Sequence, residues 1–175
     1  LTEHRRGAVF EQKLEANPYV LDVSASQNEL GQINVTLTRD VKGESRYFQA
    51  LPVDPDFIET YGLEIIKGRN FSWDRRADQF NTLIINETAL KSFGEDSIFD
   101  INIYMYDREA HIIGVVKDFH YESFHKPIEP LALYYHPWSY GTLSIHINRS
   151  NKQEAISKVE QVWNELSPDF PFEYQ

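Results

Sequence analysis

The sequence predicts an α+β fold of two lobes: one formed by both chain ends, residues 1–53 and 129–175, and a smaller inserted α/β lobe, residues 54–128. The order of periodic segments is the first reason: helix, three strands, a mixed middle, two strands, helix. A second is that the helix-start pair Asp54-Pro55 opens the middle and a charged, aromatic loop over residues 118–128 closes it. The third is material, since 175 residues at 41% hydrophobic and 14% aromatic suffice for a packed core.

Thr2 to Ala16 has helical spacing, with Val9, Phe10 and Leu14 on one side. Asn17-Pro18 stops it, because proline disfavours helical backbone in the residue before it. Leu21, Val23 and Ala25 then alternate with Asp22, Ser24 and Ser26, and after a turn over Asn28 to Gly31, Ile33, Val35 and Leu37 alternate with Asn34, Thr36 and Thr38. This period of two predicts two strands, each with one wet face. Lys42-Gly43-Glu44 is a turn, and Arg46 to Val53 is a third strand.

In the middle, Asp54 is placed to cap a short helix with Pro55 at its first position, running through Tyr61 and ending at Gly62. Leu63 to Lys67 is a short strand, and the polar segment Ser72 to Asn81 carries an exposed Trp73. Thr82 to Ile85 is a strand, followed by a helix from Glu87 to Phe93 that Asn86 caps and Gly94 ends. Ile101 to Tyr106 and Ala110 to Lys117 form a hairpin about Asp107-Arg108-Glu109, its second strand heavily buried. Gly62, Gly68 and Gly114 mark positive φ or a close backbone approach.

Leu131 to His136 and Leu143 to Asn148 are two further strands, separated by Pro137-Trp138-Ser139-Tyr140-Gly141. The last helix has Ile156, Val159, Val162, Trp163 and Leu166 at helical spacing, a capping box from Asn151 to Glu154, and a stop at Ser167-Pro168. There is no internal repeat and no low-complexity tract.

Charge and motifs narrow the function. Lys plus Arg number 17 and Asp plus Glu 27, a net charge of −10 that argues against nucleic acid as a partner. With no cysteine there is no disulfide framework or thiolate site. No apolar run approaches the ~20 residues of a bilayer span, and no basic-then-apolar leader opens the chain. The start at Leu1 and the unterminated Phe172-Glu173-Tyr174-Gln175 suggest a segment of a longer protein.

Phosphate-binding glycine loops, a nucleophile elbow and a His-Glu-x-x-His helix are all missing, so no enzyme activity, catalytic residue or cofactor is expected. Asp118, His120 and His125 share one loop and offer oxygen and imidazole donors for zinc, the basis of an alternative metal-dependent hydrolase or free-standing binding protein. The competing assignment gives Asp118 to loop amides and leaves both histidines as surface groups beside Phe119, Tyr121 and Phe124, with no metal site. His146, on the polar side of its strand, is a solvated or cross-strand partner. Tyr134, Tyr135, Trp138 and Tyr140 suit either a partner-binding edge or the core.

Three blocks carry a resemblance: Val53-Asp54-Pro55-Asp56-Phe57 through Gly68-Arg69-Asn70-Phe71, then Leu83-Ile84-Ile85-Asn86-Glu87-Thr88-Ala89, then Ile112-Ile113-Gly114-Val115-Val116-Lys117-Asp118-Phe119-His120. In this order, followed by Ile128-Glu129-Pro130, they resemble the MacB-like periplasmic core domain of FtsX-like ABC transporter permeases, especially the Bacteroides-type versions. The resemblance covers nearly the whole chain and is strongest from Val53 to Pro130. It implies a porter-like lobe and an inserted smaller lobe, tethered on both sides to helices of the inner membrane. It also implies a cytoplasmic ABC ATPase, a second permease subunit in a dimer, and a periplasmic or outer-membrane partner. Under it the domain is non-catalytic and couples ATP-driven motion to substrate or partner handling, with Asp118, Phe119, His120, Tyr121, Phe124 and His125 as candidate partner contacts. One departure is Ser97-Ile98-Phe99-Asp100, where members of the family carry a Pro-Ile-Gly-Lys-like turn.

Overall fold

The computed structural model describes residues 10, 12–14, 16–33, 35–94, 98–105, 108–122, 125–137 and 139–174. Nine strands form one mixed sheet among these residues: β1 (Val20–Ser26), β2 (Thr36–Val41), β3 (Glu44–Val53), β4 (Ile65–Gly68), β5 (Thr82–Asn86), β6 (Asn102–Met105), β7 (Arg108–Val116), β8 (Leu131–Tyr135) and β9 (Thr142–Ile147). The helices are α1 (Phe57–Thr60), α2 (Glu87–Phe93) and α3 (Lys152–Leu166). The order across the sheet is β4-β7-β5-β8-β3-β1-β9, with β2 beside β3 and β6 beside β7. The α+β class therefore holds. Strands from residues 54–128 sit together at one end of the sheet, and those from the chain ends at the other.

Two apolar clusters explain why the centre of the sheet is buried on both faces. Leu83, Ile85, Ala132 and Tyr134 join Ala89, Leu90 and Phe93 of α2 in one cluster. Ile84, Leu131, Leu133 and Tyr135 join Phe57 and Ile58 of α1 in the other. Successive residues of a strand point to opposite faces, so β5 and β8 feed both. A third cluster stands apart: Phe10, Leu14, Val20, Val23 and Val159, with Ile145, Val162 and Trp163 against it.

Much of the expected local chemistry is present. Asn86 caps α2, its side chain accepting from the Ala89 amide, and Gly94 follows the helix at φ 90°. Gly68 and Gly114 face each other in register between β4 and β7. A Cβ on Gly68 would stand 2.2 Å from the Ile113 carbonyl, and one on Gly114 would stand 2.4 Å from that of Arg69. Both glycines allow a backbone approach that no side chain permits.

Four expectations need correction. The first strand does not have a wet face: Ser24 and Ser26 are buried, because α1 packs across β1 from later in the sequence. Leu21, assigned to the apolar face, is exposed at a register shift between Val20 and Asp22. Asp54 does not cap α1; its carboxylate accepts from the Ala25 and Asp56 amides, and the helix begins only at Phe57. Asn151 makes no side-chain cap for α3, since a 3-10 turn over Arg149–Asn151 precedes the helix and Asn148 caps that turn instead. Most of the predicted first helix, together with Asn34, Ser97, Asp107 and Trp138, lies outside the described residues.

Candidate functional site

The candidate loop leaves β7 after Val116, at the end of the most buried stretch of that strand. It is pinned at once. The Asp118 amide donates to Glu87 Oε2 at 2.9 Å. In return Asp118 Oδ1 accepts from the Thr88 amide at 3.0 Å and Oδ2 from Thr88 Oγ1 at 2.8 Å. A carboxylate at the first turn of α2 satisfies an amide with no helical partner and sits at the favourable end of the helix dipole. Both Asp118 oxygens are thus engaged by the protein.

Phe119 is half-buried against the α1-side cluster and meets the Tyr121 ring edge-on at 5.9 Å. Tyr121 is buried and points inward, its hydroxyl donating to the Glu129 carbonyl at 3.1 Å and its own carbonyl accepting from the Gly31 amide at 2.6 Å. Burial pushes its hydroxyl pKa well above the usual tyrosine range, and the nearby Glu129, Glu122 and Asp118 charges push the same way. Tyr121 therefore supports the loop from beneath.

Among the described residues of the loop, His120, His125, Lys126 and Pro127 are exposed, and Lys126 pairs with half-buried Glu122 at 2.9 Å. Phe124 lies outside the described residues. His120, Tyr121, Glu122, Lys126, Pro127 and Ile128 line a shallow depression of about 160 Å³, counting the open solvent above it. Small-molecule sites are typically larger, at roughly 300–1,000 Å³. Among the described residues no three His, Cys, Asp or Glu side chains are placed to hold a metal ion.

Asn86 does more at this site than the sequence suggested. Its Oδ1 accepts from both Ala89 and Leu131 amides at 2.9 Å, and its Nδ2 donates to the Glu129 carbonyl at 2.9 Å. The same Glu129 carbonyl takes the Tyr121 hydroxyl, and the Pro130 carbonyl accepts from Gln49 of β3 at 2.8 Å. One amide side chain thus joins the start of α2 to the start of β8. The signal available beforehand was the Ile128-Glu129-Pro130 block. Its partner could not be found, because the two segments are separated by the whole hairpin of β6 and β7.

The other sequence candidates are dispersed. His146 Nδ1 faces Asp22 Oδ2 across the β1–β9 pair at 3.4 Å, the cross-strand role expected of it. Tyr134 and Tyr135 are core residues, and the Tyr140 hydroxyl donates to the Val53 carbonyl at 3.1 Å.

No family model and no curated protein matches this sequence. Solved structures do. The periplasmic region of MacB from Actinobacillus actinomycetemcomitans is 14% identical with a TM-score of 0.66, over 91% of this chain and 73% of that one. The extracellular domain of the ABC-type transporter YknZ from Gram-positive bacteria is 14% identical with a TM-score of 0.66, over 90% and 81%. A domain from Porphyromonas gingivalis described as belonging to a permease is 16% identical with a TM-score of 0.60, over 85% and 70%. At these identities the likeness is one of architecture, and on that ground the chain has the fold of the MacB-like periplasmic domains of ABC-type permeases.

Proposed function

We propose that this chain is a non-catalytic domain of an ABC transporter permease subunit, standing in the periplasm between membrane helices of the intact protein. The observation that carries the proposal is the shared fold over about nine-tenths of the chain with the MacB and YknZ domains. The order of the sequence blocks around Asp54, Asn86 and Asp118 supports it independently. No helix among the described residues is long and apolar enough to cross a membrane.

In this reading a cytoplasmic ABC ATPase drives the membrane helices of two permease subunits. The domain passes that motion on, changing the grip on a substrate or on a periplasmic or outer-membrane partner. The exposed His120, His125 and Lys126 are the proposed contact, on a loop held in place by Asp118 and Tyr121. Reporter fusions placed just before Leu1 and just after Gln175 in the intact gene product test the reading. Both junctions are expected to report from outside the cytoplasm; a cytoplasmic signal at either one overturns it.

A further inference from the structure

We propose that a mechanical seam runs between β1 and β3, so that β1, β9, α3 and residues 10 and 12–14 swing as one body about Ser26 and Val53, latched by the Asp54 carboxylate. This goes beyond the transport reading and does not depend on it. It also places the joint inside the lobe assigned to the chain ends, because β2, β3 and β8 stay with the middle.

Pairing is the first ground. β1 is matched to β9 along its length, from Val20 opposite Ile147 to Ser26 opposite Thr142, but to β3 only where Ser26 meets Val53. Two backbone bonds flank that contact, from the Gln27 amide to the Pro52 carbonyl at 3.0 Å and from the Asp54 amide to the Ala25 carbonyl at 2.9 Å.

The second ground is the composition of the boundary. The cluster under β1 and β9 shares no buried residue with the two clusters of the main sheet. Much of what meets across the boundary is polar: buried Ser24 and Ser26, fully buried Asp54, and the Tyr61 hydroxyl 2.6 Å from Ser144 Oγ, beside apolar Val53 and the helix α1. Ser24 Oγ, Gln27 Oε1 and Thr60 Oγ1 are buried there without a hydrogen-bond partner among the described residues. Such a boundary loses less apolar burial when it opens than the centre of the sheet would, and water reaching those atoms offsets part of the cost.

Asp54 is the latch because its two oxygens hold both sides. Oδ2 accepts from the Ala25 amide of β1 and Oδ1 from the Asp56 amide at 3.2 Å, just ahead of α1. Asparagine keeps one acceptor oxygen and loses the other along with the charge.

Native-state hydrogen exchange on the 175-residue chain tests this. Amides of β1, β9 and α3 are expected to exchange as one group, faster than those of β5, β7 and β8. Asp54→Asn is expected to speed the first group about tenfold and leave the second unchanged. A single exchange group, or an equal response of both, overturns the seam. Should that variant fail to fold, Ser26→Cys with Val53→Cys decides. The flanking bonds make this a non-hydrogen-bonded antiparallel pair, whose side chains lie close enough to bridge, and the chain has no cysteine to interfere. The oxidised pair is expected to slow the first group to the rate of the second, and reductant to release it. Unchanged exchange in the oxidised form overturns a joint at this position.

Discussion

Strands β5 and β8 bury every residue, whereas β9, in the same sheet, has no fully buried residue at all. Position accounts for part of the difference, because β5 and β8 each pair with a strand on both sides and β9, at the end of the sheet, pairs only with β1. The covering differs as well. Clusters on both faces enclose the centre, while at the β9 end a small cluster beneath α3 supplies most of the apolar packing. Within one sheet, then, local stability follows the side-chain layers laid on each face together with the number of strands alongside.

The comparison breaks most directly by truncating one residue at each end. Leu133→Ala, at a position fully buried in β8, is expected to cost about 3–5 kcal/mol in urea unfolding, and Ile145→Ala, half-buried in β9, about 1 kcal/mol. Equal losses end the distinction. Gly68→Ala asks whether backbone contact matters as much as side chains: with φ at 72° and a carbonyl in the way, a loss of about 3 kcal/mol is expected although the site is exposed. Asn86→Ala leaves the buried Leu131 amide without its acceptor, for an expected loss of about 2 kcal/mol. Its nuclear magnetic resonance shift changes are expected to concentrate at Thr88, Tyr121 and Glu129 and to spare β9.

The smallest effect lies beside the seam. Burial raises the Asp56 pKa; the Trp73 indole opposes this with its hydrogen bond, and the Asp22 charge adds to the rise. The folded state therefore holds this proton more tightly than the unfolded chain. The stabilisation is complete below the ordinary carboxylate range and is lost as pH rises through the raised value. Asp56→Asn keeps an acceptor for Trp73 and removes the ionisation. Its melting temperature is expected to equal that of the parent near pH 3 and exceed it slightly by about pH 7. An unchanged difference across that range removes Asp56 from the account.

The parts legible in the sequence were those set by short spacings. Asn86 to Gly94 carried both ends of its helix within nine letters, and Gly68 and Gly114 showed close approach because nothing else fits such positions. Long-range covering was not legible. The alternation in β1 is real, yet its polar side is roofed by α1, which follows only after two more strands. Asn151 failed as a cap for a related reason: the choice between Asn148 and Asn151 depends on how the chain turns out of β9. At the candidate loop, sequence placed Asp118 among amides but could not supply Thr88 and Glu87 as its partners.

The pairing of Val20 with Ile147 has a further consequence for how the molecule is made. Within this stretch, synthesis delivers β1 more than a hundred residues before its main partner β9. The parallel match of Gln49 to Leu131 must likewise wait for the whole of the residues between them. Until then the nascent chain carries an apolar strand with an open edge, the kind of segment that holdase chaperones bind and that sticks to its neighbours when they are absent.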